Sequence, residues 1–231
     1  EIASITVADV ETINIKSTKN GSTAMTSTDE NELASGVFNA ATDINITGEA
    51  NFTLTALTAA KVKTVDASAL TGKLNFTANQ TSNITVKGGA KDDTFIFGAT
   101  LTGSDSVEGG GNGSTTGDLL TATINALGDA VTYAPLKIAD VETIKLTTLT
   151  AGSFIDGTGI TGGKTFQVGD TDSAAGLAVK LKNMPGNLTY LLGDVDTDKE
   201  FKGTLDIAFA DETGTDDTIF LKTTNSDTDD D

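Results

Sequence analysis

The chain has 231 residues, with 33 Asp plus Glu against 15 basic residues, all of them lysine, for a formal net charge of -18. It contains no Cys, His, Trp or Arg, which removes disulfides, thiolate and imidazole chemistry, zinc and iron–sulfur centres, and guanidinium clamps on phosphate. A surface this acidic repels nucleic acid and anionic lipid, and its one abundant ligand type, oxygen, suits Ca²⁺ or Mg²⁺.

The chain opens on a strand pattern, Ile2-Ala3-Ser4-Ile5-Thr6-Val7, with no initiator Met and no signal peptide, and is read as a piece of a longer protein. The alternating pair Ile13/Ile15 follows. Asp29-Glu30-Asn31-Glu32-Leu33-Ala34-Ser35-Gly36 predicts one or two helical turns stopped by the glycine, and Ala56-Leu57-Thr58-Ala59-Ala60 is a second short helical candidate. From Ile44 to Phe97 apolar clusters fall about ten residues apart, among them the pairs Ile44/Ile46, Phe52/Leu54, Leu74/Phe76 and Ile84/Val86, with Gly, Asn, Asp and Ser in the gaps. The pattern resumes with Ile144/Leu146, Phe166/Val168, Val179/Leu181, Leu188/Tyr190 and Leu205/Ile207/Phe209. Period-two alternation is the signature of half-buried strands, and the gaps hold turn residues. The expected fold is all-β, with short strands in a β-solenoid, a parallel β-helix or a related sandwich, and with Gly/Asp-rich turns. No apolar run approaches the ~18–20 residues of a membrane-spanning helix, so no membrane insertion is expected.

Two segments recur. Ala8-Asp9-Val10-Glu11-Thr12-Ile13 returns as Ala139-Asp140-Val141-Glu142-Thr143-Ile144, and Asp92-Asp93-Thr94-Phe95-Ile96-Phe97 is echoed by Asp216-Asp217-Thr218-Ile219-Phe220-Leu221. The order is kept and the offsets, 131 and 124 positions, are close. This predicts two tandem β units, residues 1–129 and 130–231, the second a degenerate copy with an acidic end.

The chemistry is expected in the glycine turns. Gly88-Gly89-Ala90-Lys91-Asp92-Asp93-Thr94-Phe95-Ile96 fits the calcium nonapeptide Gly-Gly-x-Gly-x-Asp-x-apolar-x at Gly88, Gly89, Asp93 and Phe95, with Lys91 in place of the later glycine. Adjacent glycines let the backbone aim carbonyls at a cation, the aspartate adds a carboxylate, and the apolar residue starts the next strand. A second copy starts at Asp105 and runs through Gly109, Gly110 and Asn112 to Asp118, after the insertion Ser114-Thr115-Thr116. A third and poorer copy runs from Asp211 to Ile219 and contains Asp216 and Asp217. The candidate Ca²⁺ set is therefore Gly88, Gly89, Asp92, Asp93, Asp105, Gly109, Gly110, Asn112, Asp118, Asp216 and Asp217. Eight Asn-x-Ser/Thr acceptors, among them Asn79 and Asn83, are near what chance gives in so Thr-rich a chain. The carboxylates sit in turns and there are only two Tyr, so no catalytic residues are expected and the chain is read as not an enzyme.

With these motifs in order, the chain resembles the calcium-dependent surface-layer (S-layer) proteins of Gram-negative bacteria that carry RTX (repeats-in-toxin) nonapeptides. The resemblance rests on Val-Glu-Thr-apolar-x-apolar at Val10–Ile15 and Val141–Leu146, the turn from Val65 to Gly72, and Ile84–Gly89 running into Asp92-Asp93-Thr94. Ser106–Gly110 leading to Asp118-Leu119-Leu120 completes it. It implies a structural protein of the cell surface, secreted by a type I route, hardened by Ca²⁺ and assembled with copies of itself into a lattice. Attachment to lipopolysaccharide would run through a region outside this segment. A module of a secreted RTX adhesin is the alternative, since such repeats occur there too.

Overall fold

The computed structural model describes residues 1–19, 30–124, 135–148, 153–169, 177–193, 203–211 and 219–223. Among them every regular element is a strand, and every strand pairing is parallel. The chain winds as a β-solenoid. A nine-stranded sheet runs from Glu30–Leu33 to Phe220–Thr223, and a seven-stranded sheet runs from Thr12–Ser17 to Ile160–Thr161. Two three-stranded sheets cover the remaining flank, one at each end of the stack. The first joins Ile5–Val7, Gly36–Phe38 and Leu57–Thr58, and the second joins Ser153–Asp156, Leu177–Met184 and Gly203–Phe209.

Period-two alternation produces this because each strand has one face inside the coil and one outside. Register then stacks like on like. In the seven-stranded sheet Ile44, Val65, Val86, Val107, Ile138 and Ile160 form one buried column. In the nine-stranded sheet Leu54, Phe76, Phe95, Leu120, Ile144, Phe166 and Tyr190 form another. Outward positions form polar columns. Asn45 donates from Nδ2 to Asn14 Oδ1 at 2.9 Å, and further along the same column Lys87 meets Glu108 at 3.1 Å.

Both short helical candidates are strands. Glu30–Leu33 pairs with Asn51–Leu54, and Leu57–Thr58 pairs with Gly36–Phe38. Burying Leu33 and Leu57 in the stacked core outweighs a weak local helical preference. The boundary expected at residue 129 lies outside the described residues, and strands pair across it: Ser106–Glu108 with Lys137–Ala139, and Leu119–Ile124 with Thr143–Thr148. The two identical hexapeptides lead into different sheets, the first into Thr12–Ser17 of the seven-stranded sheet and the second into Thr143–Thr148 of the nine-stranded one.

Candidate metal centre

The glycine motifs fall where the chain turns from the seven-stranded sheet into the nine-stranded one. Lys87, Glu108, Ala139 and Thr161 are in register, so Gly88, Gly109, Asp140 and Gly162 follow one another up the stack. The hydrogen-bond ladder continues through them: Gly88 N donates to Glu108 O at 2.8 Å and Gly109 N to Ala139 O at 2.9 Å. A Cβ at Gly88 would overlap the Gly109 carbonyl oxygen and Asp93 Oδ2. A Cβ at Gly109 would overlap the Asp140 carbonyl oxygen and Asp118 Oδ2. Gly110 adds a φ of +98°, a conformation that side chains strongly disfavour. These glycines are required so that a carboxylate can close onto the backbone.

The carboxylates form a staircase. Thr94, Leu119 and Thr143 are in register, which stacks the residues just before them, Asp93, Asp118 and Glu142. Asp93 N donates to Asp118 Oδ1 at 2.6 Å, and Asp118 N donates to Glu142 Oε2 at 2.8 Å. Asp93 itself accepts from Leu74 N at 2.6 Å through Oδ1, and from Gly89 N through Oδ2. Each acid thus caps a backbone N–H of the coil before it. All three are buried, Asp118 with 0% of its surface exposed and Asp93 with 1%.

The rungs are not equivalent. Both oxygens of Asp93 accept hydrogen bonds, whereas Asp118 Oδ2 is buried and has no partner. Burial pushes the Asp93 carboxyl up to about 7, against the N–H groups of Leu74 and Gly89; the nearby Asp118 and Asp92 charges add to the rise. Burial also pushes Asp118 up to about 6, against the Asp93 N–H, with the charges of Glu142, Asp92 and Asp140 adding to it. The column is therefore a line of acids held in low dielectric, where a negative charge lacks compensation.

The other candidates separate by position. Asn112 donates from Nδ2 to Glu142 Oε1 at 2.8 Å and ties the Gly109–Asp118 loop to the staircase. Asp92 points outward and accepts from Gly113 N at 2.8 Å, Ser114 N at 2.9 Å and Ser114 Oγ. It pins the loop that carries the insertion. Asp105 lies at the other end of the strand Ser106–Glu108. Its Oδ1 accepts from Ile84 N at 2.8 Å and its Oδ2 from Thr102 N at 2.7 Å, so it staples a separate corner. Asp216 and Asp217 lie outside the described residues.

Glu142 belongs to the staircase and escaped the sequence reading, because no glycine pair precedes it. Its signal was positional: like Asp93 and Asp118, it stands just before a strand of the nine-stranded sheet. Among the described residues no three acidic side chains converge into a metal cage of their own. A cation here would need Asp118 Oδ2 together with carbonyl oxygens of the glycine turns. That donor set is all oxygen, as Ca²⁺ takes, and the orphaned Oδ2 beside Gly109 fits one; Asp93, with both oxygens engaged, fits less well. A comparison of the chain with protein-family models, curated proteins and solved structures finds no match.

Proposed function

We propose that this chain is a calcium-stabilised structural segment of a bacterial surface layer, secreted by a type I route, which assembles outside the cell with copies of itself. On this reading it is not an enzyme, and any lipopolysaccharide anchor lies outside the segment. The observation that carries the proposal is Asp118 Oδ2, a buried and unpartnered carboxylate oxygen set against Gly109 in a column of three acids. A bound Ca²⁺ supplies the positive charge that this column lacks. Asp118 would hold it with backbone carbonyls of the Gly109-Gly110 turn, while Asp93 and Glu142 orient the turn through their N–H contacts.

Calcium links folding to place. Extracellular calcium modules have dissociation constants of about 10⁻⁴–10⁻³ M. With ~1 mM ion and a constant of ~0.1 mM, one site stabilises the folded state by about 1.4 kcal/mol. Inside a cell, where free calcium is far lower, that contribution vanishes. The net charge of -18 also opposes packing of copies, because repulsion is only screened over about 8–10 Å at physiological salt. Bound divalent ions reduce it.

The test is a calcium titration of the full-length protein from micromolar to millimolar, with melting temperature and light scattering followed together. A rise in both supports the lattice reading. Folding without growth in particle size replaces it with the secreted RTX adhesin, and a melting temperature blind to calcium removes both.

A further inference from the structure

A groove runs along a different corner of the solenoid, at the entry to the seven-stranded sheet. Its floor is made of turns from successive coils, at Thr42, at Lys61–Lys63, at Ser82–Thr85 and at Ser104, and it encloses about 660 Å³. A second lobe of about 360 Å³ adjoins it and shares Ala60 and Ser82. Coils in a parallel stack lie about 4.8 Å apart, so four of them make a trough roughly 14 Å long, parallel to the axis.

Three observations point to a ligand. Gln80, in the second lobe, is 9% exposed, and neither its Oε1 nor its Nε2 has a hydrogen-bond partner. Ser82 Oγ, at the junction of the lobes, is likewise buried and unpartnered. Leaving such groups without partners costs free energy. The lining also inverts the charge of the molecule. It carries Lys61 and Lys63 and no carboxylate, although acids outnumber basic residues 33 to 15 in the chain. Both lysines are exposed, flank the buried Val62, and form no ion pair among the described residues.

We infer that this trough binds a short acidic oligosaccharide lengthwise. The Gln80 amide and the Ser82 hydroxyl, covered in the free chain, turn outward on binding, where vicinal hydroxyls donate to and accept from them. Hydroxyl and amide side chains at Thr42, Asn83 and Ser104 repeat that contact coil by coil, and the carboxylates of the sugar lie against Lys61 and Lys63. No aromatic side chain lines the trough, so selection is by charge and hydroxyl spacing rather than by stacking. The inference needs no metal and does not depend on the proposed lattice.

The experiment is amide NMR of the uniformly ¹⁵N-labelled chain with chelator present, so that failure of the calcium reading leaves it interpretable. Trigalacturonate should give saturable shifts at Lys61, Lys63, Gln80, Ser82 and Asn83, with a dissociation constant of about 0.1–1 mM. The neutral trimer maltotriose should bind at least about tenfold more weakly, and so should the variant K61Q/K63Q with trigalacturonate. Gln80→Leu should keep the melting temperature and weaken binding severalfold, which a merely structural Gln80 would not do. Absence of saturable shifts overturns the inference, and so does equal binding of maltotriose. Tighter binding of a tetra-aspartate peptide than of trigalacturonate assigns the trough to acidic peptides instead and overturns it as well.

Discussion

The two glycine turns, Gly88–Asp93 and Gly109–Asp118, start from nearly the same sequence and end in different chemistry. In the first, four residues separate Gly88 from Asp93, and the carboxylate folds straight back onto Gly89 N and Leu74 N. In the second, the insertion lengthens the loop, Asp92 of the coil before holds it from outside, and Asp118 reaches the staircase with one oxygen left over. Spacing within the motif therefore decides how many of an aspartate's oxygens act as caps. The shorter turn engages both oxygens of Asp93 with N–H groups, and the longer one leaves Asp118 Oδ2 without a partner.

The comparison breaks most sharply at Asp93. Asp93→Ala leaves the buried Leu74 and Gly89 N–H groups without acceptors and should cost about 2–4 kcal/mol, equally with and without calcium. Chemical denaturation under both conditions measures this. A loss confined to calcium-loaded protein would make Asp93 a ligand and erase the contrast.

The second test is pH. The folded-state values of about 7 for Asp93 and about 6 for Asp118 lie above the ordinary 3.8. The folded state therefore holds protons that the unfolded state releases. Calcium-free protein should keep this stability below about pH 4 and lose it as pH climbs to about 7, so it should melt higher at pH 5 than at pH 8. Millimolar calcium should shrink the difference, because a bound cation compensates the charge that protons otherwise neutralise.

Asp118→Asn sharpens the contrast from the other side. The side-chain oxygen of Asn can still accept from Asp93 N, and a buried charge is removed, so calcium-free stability should change little. The calcium-dependent part, about 1–2 kcal/mol, should disappear, as a comparison of melting curves with and without the ion would show. The smallest effect belongs to Asp92→Ala. Asp92 is not part of the buried core, and hydrogen bonds from Ser114 and Gly113, with the Lys73 charge, outweigh its partial burial and hold its carboxyl below the ordinary value. Its loss should cost no more than about 1 kcal/mol and raise the hydrogen-exchange rates of Gly113 and Ser114.

The alternation of Ile44/Ile46 or Leu74/Phe76 made the strands legible, because a period of two has one structural meaning. It did not choose between a sandwich and a solenoid. That depends on which strand each one pairs with, and register such as Val65 beside Val86 is invisible in either segment alone. The helical reading of Asp29–Gly36 failed because its polar residues describe a surface, while Leu33 had a place in a core column built by distant coils. Within the site, glycine pairs announced Gly88 and Gly109, whose role is local. Glu142 was hidden because its partners, Asp118 N and Asn112, come from the preceding coil.

Among the described residues the strands of each coil pair only with strands of adjacent coils, and that has a consequence for how the shape is reached. A coil cannot satisfy its own backbone groups, since its strands have no partner within it. The coil already in place supplies the template. A first pair of coils must therefore set together, and the remainder is then wound onto it turn after turn, as thread is laid on a spool.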